Sequence, residues 1–368
     1  MERKTLMAKP SVSPIRVGFI GAGVMGQAAH LRNYASLDDC RVVALAELRP
    51  GLGGAVGRRY GVPTVYTELG DLLAQERKNL DALVCIGPFT HHGSILPQVL
   101  ASGLPLLTEK PMAGSLTVGR QLLEQKRAAG GRWYVGYHKR SDPAVMWARG
   151  QIEAWKASGE MGRLRYMRIT MPPGDWMAGG AAGLVQSDEP YPVLPPDAPP
   201  AEMGAEEFRR FTGFVNYYIH QVNLLRHLLG EGYQVSWVDP GGVLLVGRSV
   251  SGATVALEMD CYRNSVAWQE QALVGFEKGW IRIELPAPLT VNRPGRVWAY
   301  SDPGGGVEPR CVEPQLPWID AMRHQGMNFL RAVRQESTPL ATAEEALEDL
   351  EIARQWLDLG RAGVSRGR

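Results

Sequence analysis

The chain has 368 residues, which at about 150 residues per domain corresponds to two domains, or at most three. Its 40 Lys and Arg against 38 Asp and Glu leave a formal charge of +2, too balanced for a nucleic-acid footprint, which needs a basic face or stripe. With 45% hydrophobic and 21% charged residues the composition is that of a folded globular protein, and no apolar stretch approaches the ~18 residues of a membrane-spanning helix. The opening MERKTLMAKPSVSP has no apolar core of a secretory signal and reads as a flexible tail over residues 1–14. Cys40, Cys85, Cys261 and Cys311 lie far apart without metal-ligand spacing, so no metal site is expected and a reducing, cytoplasmic setting is.

Short apolar strands then alternate with helical patterns. Ile15 to Ile20 reads as a strand, Gln27 to Ser36 as a helix, and Arg41 to Ala46 as a second strand. Helical patterning follows over Gly54 to Tyr60 and Asp71 to Gln75, with a short strand at Thr64 to Tyr66 between them. Ala82 to Ile86 and Leu104 to Thr108 read as strands flanking a helix at Ile95 to Ala101. This alternation predicts βαβ units and a parallel sheet covered on both faces, which agrees with non-alternating strands such as ALVCI. From about residue 160 the strands crowd together: Leu164 to Met171, Val243 to Val246, Thr254 to Met259, Gln271 to Gly275 and Trp280 to Glu284. They predict an α+β region on a mostly antiparallel sheet. Residues 172–206 are dense in Pro and Gly and read as a long loop, of the kind that serves as a lid or binding segment. Helices are expected over Trp318 to Arg334 and Thr342 to Leu359, the second opening on a Thr342/Glu345 capping box.

The first chemistry-bearing feature is the glycine turn between strand and helix, Gly21-Ala22-Gly23-Val24-Met25-Gly26. In a dinucleotide site the first glycine permits the tight turn, the second lets backbone approach a pyrophosphate, and the third allows close helix–strand packing. The N–H groups at the helix start, including those of Val24 and Met25, then face the phosphates. Such a motif is weak alone, but Glu47 ends the second strand 21 residues past Gly26, where a dinucleotide site needs an acid for the adenosine ribose. A carboxylate there accepts from ribose hydroxyls and repels a 2′-phosphate, which favours NAD; Arg49 could pair with that phosphate and leaves NADP open.

The strand LPLLT runs into Glu109-Lys110-Pro111 at the ligand-facing ends of the parallel strands. A partly desolvated lysine there can exchange a proton with an alcohol, and the step into Pro111 is a candidate cis bond. Farther on, Asn216, His220, Asn223 and His227 recur at spacings of four, three and four, which predicts one helical face of neutral hydrogen-bonding groups. Asn216 and His220 read as lining a site, His227 as structural.

These features together resemble the glucose-fructose oxidoreductase / inositol dehydrogenase / rhizopine-catabolism (Gfo/Idh/MocA) family. The resemblance runs through the glycine turn, Ala46-Glu47, Asp81 to Val84, Pro88-x-x-x-His92 and Glu109-Lys110-Pro111. It continues through Val135-Gly136-Tyr137-x-x-Arg140-x-x-Pro143, Gly159-x-Met161-Gly162, the helix around His220, Gly275-x-x-x-Gly279 and the helix from Thr342. The resemblance implies an N-terminal Rossmann doubly wound parallel sheet over residues 15–140. It implies a C-terminal α+β domain over 141–368 with an open-faced, mostly antiparallel sheet, its last helix packing back on the first domain. It further implies a nicotinamide-dependent dehydrogenase or reductase of sugars, cyclic polyols or amino-sugar derivatives, working as a homodimer or homotetramer. Lys110 becomes the general acid/base, helped by His220, and Glu109, Pro88 and His92 border the cofactor. Tyr137, His138, Trp176, Asn216 and Tyr218 become candidates for the substrate wall, with Asp175 and Tyr191 on the covering loop. The family's usual Asp-x-x-x-His-x-x-Asp stands here as Asn216-x-x-x-His220-x-x-Asn223. An amide orients a hydroxyl but carries no proton. Two other readings therefore stand beside the dehydrogenase: a dinucleotide-binding sensor that lost catalysis, and a redox-neutral enzyme that keeps its NAD bound.

Overall fold

The computed structural model describes residues 13–366, so the expected tail lies outside the described residues except for Ser13 and Pro14. Six strands form a parallel sheet: β1 (Ile15–Ile20), β2 (Cys40–Ala46), β3 (Thr64–Tyr66), β4 (Ala82–Cys85), β5 (Leu106–Glu109) and β6 (Trp133–Gly136). Their spatial order is β6-β5-β4-β1-β2-β3, so the chain reverses direction between β1 and β4 and opens a crevice at their carboxyl ends. Val17, Phe19, Leu83, Val84 and Leu107 are fully buried, as strands with helices on both faces require.

The helix after the glycine turn takes a wide π form over Gly26–Leu31 before ending at Arg32–Tyr34, and it carries the buried side chains of Gln27 and His30. Two helices are additional to the sequence reading, Leu116–Ala129 and Pro143–Ser158. Both carried stop and start signals: Ser115 caps the first through Val118 N at 3.2 Å, Asp142 caps the second through Ala144 N at 2.8 Å, and left-handed Gly130 and Gly159 end them.

The second sheet has eight strands: β7 (Leu164–Met171), β8 (Tyr233–Val238), β9 (Leu244–Ser249), β10 (Thr254–Met259), β11 (Glu270–Phe276), β12 (Gly279–Leu285), β13 (Arg296–Ser301) and β14 (Arg310–Val312). Their order is β14-β13-β12-β11-β7-β10-β9-β8, antiparallel except between β7 and β10. Met167, Ile169, Val255, Leu257, Val274 and Ile283 bury one face beneath the helices. On the other face Arg282 lies over Trp298, with its Cζ 4.5 Å from the ring centroid.

The last segment ties the two sheets. β15 (Ala341–Thr342) adds an antiparallel edge to β6, and the helix Ala343–Arg366 follows. The expected capping box forms: Thr342 N donates to Glu345 Oε2 at 2.9 Å and Glu345 N to Thr342 Oγ1 at 3.3 Å. One turn on, fully buried Asp349 accepts from Arg226 Nη2 at 2.8 Å and from Asn223 Nδ2 at 2.7 Å.

The expected single helix around His220 is two helices, Ala205–Tyr217 and Ile219–Leu229, broken at Tyr218. The break rotates the second helix, so the four-residue stripe does not survive as one face. Asn223 is buried between Arg140, whose Nε donates to its Oδ1 at 2.8 Å, and Asp349. An amide can accept from the guanidinium and donate to the carboxylate at once, whereas an aspartate would oppose Asp349. His227 lies beside Arg149 and Arg226, away from Asn216 and His220. Replacing Asp349 with Ala removes the fully buried partner of Arg226 and leaves it the more exposed Glu345 and Glu348, and urea unfolding should register a loss of about 3 kcal/mol. A change within about 0.5 kcal/mol, the range of ordinary surface substitutions, would contradict this role.

Candidate active site

A cleft of about 630 Å³ opens where the two sheets meet, within the usual size range of small-molecule sites. The glycine turn floors one end. Gly21 has φ +92°, and a Cβ on it would collide with the Ile86 carbonyl. A Cβ on Gly26 would collide with the Gly21 carbonyl, while one on Gly23 would meet nothing within 4 Å, so backbone faces open space there. Val24 points its side chain outward at 52% exposure and can serve only through its backbone. Glu47 is buried at the end of β2; its Oε2 accepts Ala22 N at 2.8 Å and its Oε1 accepts Arg49 Nε at 2.7 Å. Oε1 also accepts Arg49 N at 3.3 Å, which leaves Oε2, with Ala22 N as its one donor among the described residues, as the oxygen with capacity for a further donor. Arg49 is thus already paired with an acid, and its Cζ stands 5.1 Å from the centroid of Tyr191.

The other end gathers Glu109, Lys110, His138, Lys139, Asn216, Tyr217, His220, Gln221 and Trp268, with Trp176 and Met171 on the walls. The Lys110–Pro111 bond is cis. Lys110 Nζ donates to the main-chain oxygen of Asn216 at 2.6 Å, one of the last-turn carbonyls that a helix end leaves without intrahelical donors. The rings of His138 and His220 meet edge to face, centroids 4.6 Å apart. Lys139 is buried against Glu270 at 2.5 Å, and Gln221 Nε2 donates to the same carboxylate at 2.7 Å. His138 Nδ1, His220 Nδ1, Gln221 Oε1 and Trp268 Nε1 are buried without a hydrogen-bond partner among the described residues. These are the groups a polar ligand would satisfy.

Burial lowers the Lys110 ammonium below the ordinary lysine range; Glu109 opposes that shift and Lys139 adds to it. Burial likewise holds both imidazoles well below their usual value, with His138, Lys110 and Lys139 acting on His220, and Lys139, Lys110 and His30 acting on His138. The cleft therefore presents a depressed amine beside two neutral imidazoles, a set able to exchange a proton with a hydroxyl.

Several expected placements need correction. Tyr137 does not reach the mouth of the cleft: it is 2% exposed behind His220, ring centroids 5.9 Å apart, with its hydroxyl near Asp349. Tyr218 sits at the helix break and its hydroxyl accepts Asp260 N at 2.8 Å, so Tyr217 takes the cleft position instead. His92 is fully buried behind the loop, its Nδ1 on the Met112 carbonyl at 2.9 Å, while Pro88 borders the cleft. Lys139, Gln221, Trp268 and Tyr217 escaped the sequence reading, as did His30, whose Nε2 meets Glu109 Oε1 at 2.8 Å. Only for His30 was there a local signal, a histidine four residues past the last glycine of the turn.

Residues 172–204, the expected long loop, contain no helix or strand and cross the cleft from β7 to the helix Ala205–Tyr217. They carry Trp176 and Tyr191 to its walls.

Residues 15–137 match the model of an oxidoreductase family with an NAD-binding Rossmann fold. The chain is similar to inositol 2-dehydrogenase 4 of Saccharopolyspora erythraea, 29% identical over 166 residues, which is 44% of this chain and 47% of the relative. It is also similar to the scyllo-inositol 2-dehydrogenase (NAD(+)) of Bacillus subtilis, 26% identical over 59% of this chain and 54% of the relative. The chain thus spans about half the length of the curated relatives it matches. Across the whole chain its fold is shared with an oxidoreductase from Agrobacterium radiobacter solved with NAD+, L-tartaric acid and magnesium: TM-score 0.67 and 15% identity over 95% of this chain and 97% of that one.

The two depressed imidazoles give a direct measurement. At pH 6, where an unperturbed histidine of pKa about 6.5 is mostly protonated, nitrogen NMR should find His138 and His220 as neutral tautomers. Because the unfolded chain binds those protons and the folded chain does not, their contribution to stability is present above pH ~6.5 and fades as pH falls below it.

Proposed function

We propose that the chain, whose residues 15–137 match the Gfo/Idh/MocA NAD-binding model, is a member of that oxidoreductase family and an NAD-dependent dehydrogenase of sugars, cyclic polyols or their amino derivatives. The observation that carries this reading is the convergence in one cleft of the glycine turn with Glu47 at one end and Lys110 with His220 at the other. The open backbone at Gly23 and the buried acid at Glu47 fit a dinucleotide: amides for the diphosphate, the remaining acceptor capacity of Glu47 Oε2 for the ribose. With Arg49 already held by Glu47, NAD fits better than NADP.

Bound NAD supplies the acceptor for the hydride at nicotinamide C4. Lys110, as the neutral amine, takes the proton of the substrate hydroxyl as the C–H bond breaks, and returns it in the reverse direction. His220 holds the same oxygen through its unpartnered Nδ1 or its other ring nitrogen, and stays neutral because burial, reinforced by the charge of Lys139, disfavours the imidazolium. The Asn216 carbonyl aims Lys110 into the cleft, taking the place of the family's carboxylate. Trp176 and Trp268 offer flat apolar walls to a ring, His138 and Gln221 offer hydrogen bonds to its hydroxyls.

A redox-neutral cycle in which NAD stays bound is a second reading, supported by the segment that crosses the cleft. A homodimer or homotetramer in the cytoplasm is our inference for the assembly, supported by the aromatic open face around Trp280, Trp298 and Tyr300.

Lys110→Met should leave NADH binding within about twofold and cut NAD reduction, screened over inositols and aldoses, by about 10²–10⁴. Turnover near wild type would remove Lys110 from the chemistry. Since the neutral amine is the active form for oxidation, wild-type kcat/KM should rise with pH and level off below the ordinary lysine pKa of about 10.4.

A further inference from the structure

The segment between Val185 and Asp197 comes from the second sheet yet is fastened to the first domain at successive points. Val185 exchanges hydrogen bonds with the Gln27 amide, at 2.9 and 3.0 Å, on the helix that follows the glycine turn. Glu189 seats its carboxylate on the start of the helix Pro50–Tyr60, accepting Gly51 N at 3.0 Å and Leu52 N at 2.8 Å. The Leu194 carbonyl meets His91 Nε2 at 3.0 Å. Asp197 accepts Gly93 N at 2.8 Å at the start of the helix His92–Ala101, and its own N–H donates to the Thr90 carbonyl at 2.6 Å. Both carboxylates sit close over a glycine: a Cβ on Gly51 would lie 2.7 Å from Glu189 Oε2, and one on Gly93 2.8 Å from Asp197 Oδ1, so either would displace the seated carboxylate. The two seats bracket Tyr191, which is half exposed, lines the cleft, and stands against Arg49 beside Glu47.

We propose that Tyr191 completes the adenine end of the dinucleotide site and that the strap of residues 185–197 must lift from its Glu189 and Asp197 seats before the dinucleotide leaves. This rests on the dinucleotide reading given above. The argument is one of adjacency. Glu47 is the acceptor for the adenosine ribose, and the base is bonded to that sugar. The flat surfaces that line the cleft beside Glu47 are the Arg49 guanidinium and the Tyr191 ring, one from each side of the crevice. An aromatic ring is a sequence-tolerant stacking partner for a base. A surface assembled from two domains exists only while the strap is seated, so release of the base and release of the strap are one event. The nicotinamide end, at Lys110 and His220, touches none of the seats.

The test is fluorescence titration of the full chain with NADH and with reduced nicotinamide mononucleotide, which lacks the adenosine, together with stopped-flow displacement of NADH. Tyr191→Ala should weaken NADH about tenfold or more, as loss of a stacked base predicts. The mononucleotide should change less than about twofold, and Tyr191→Phe should bind NADH like wild type. The Glu189→Gln/Asp197→Asn double variant should release NADH about tenfold faster, because neutral caps hold the helix starts less well. Wild-type NADH affinity in Tyr191→Ala, or equal weakening of both nucleotides, overturns the adenine role. An unchanged release rate in the double variant overturns the strap. Failure of the wild type itself to bind NADH overturns the dinucleotide reading and takes this proposal with it, so the two failures are distinguishable.

Discussion

The hydrogen bond from Lys110 Nζ to the Asn216 carbonyl joins the end of β5 to the end of a helix from the other half of the molecule, at 2.6 Å. The arrangement of the cleft depends on it. A helix end offers partial negative charge without a full carboxylate, so it can hold an ammonium while leaving the amine easy to deprotonate. A carboxylate in the same place would raise the lysine pKa; the carbonyl leaves burial as the leading influence, and burial lowers it. The seam between the two halves and the lowered pKa of the Lys110 amine therefore meet at one contact.

Around that contact, the surroundings of His138 and His220 favour the neutral imidazoles. Lys139 is paired with Glu270, and Glu109 with His30. Both pairs are buried beside Lys110 and the two imidazoles. Burial is the main reason His138 and His220 resist protonation, and the charges of Lys139 and Lys110 add to it. In this setting the amides at 216 and 223 are no deficit. Asn223 bridges Arg140 and Asp349 in the structural network, and Asn216 contributes its backbone to Lys110. The carboxylate expected from the family pattern at position 223 would face Asp349, and at 216 it would compete with the carbonyl that already holds the amine.

What could be read from the residues was whatever short-range rules govern. The glycine turn, the acid at the end of β2, the Glu109-Lys110-Pro111 step and the Thr342 capping box are local patterns, and each lies where the pattern requires. The parallel sheet followed from non-alternating apolar strands. The failures have a common origin in continuity. Periodicity assumes one helix through 214–230, but Tyr218 adopts φ −101° and ψ −2°, and the following helix starts at a new phase. That single residue exchanges Tyr218 for Tyr217 on the cleft wall and turns Asn223 inward. Tyr137 failed for a related reason: a residue just past a strand end reads as loop, but it lies under the helix that carries His220, and packing decides its exposure. Lys139, Glu270, Gln221 and Trp268 come together only through the second sheet, across separations no local rule spans.

The segment over residues 172–204 shows where composition and geometry part. Its Pro and Gly content marks it as irregular, and irregular is commonly equated with loose. Here irregular backbone lets Glu189 and Asp197 reach two separate helix starts, each over a glycine that leaves room for a carboxylate. A regular helix or strand has one axis and could not present side chains to both starts while also turning Trp176 and Tyr191 into the cleft. The lack of secondary structure is thus what allows one short stretch to touch the glycine-turn helix, the Glu47 corner and the loop after β4 together. Those three places surround a dinucleotide site in a doubly wound sheet. Covering them from the second domain makes access to the cleft a property of the whole chain rather than of the Rossmann half alone.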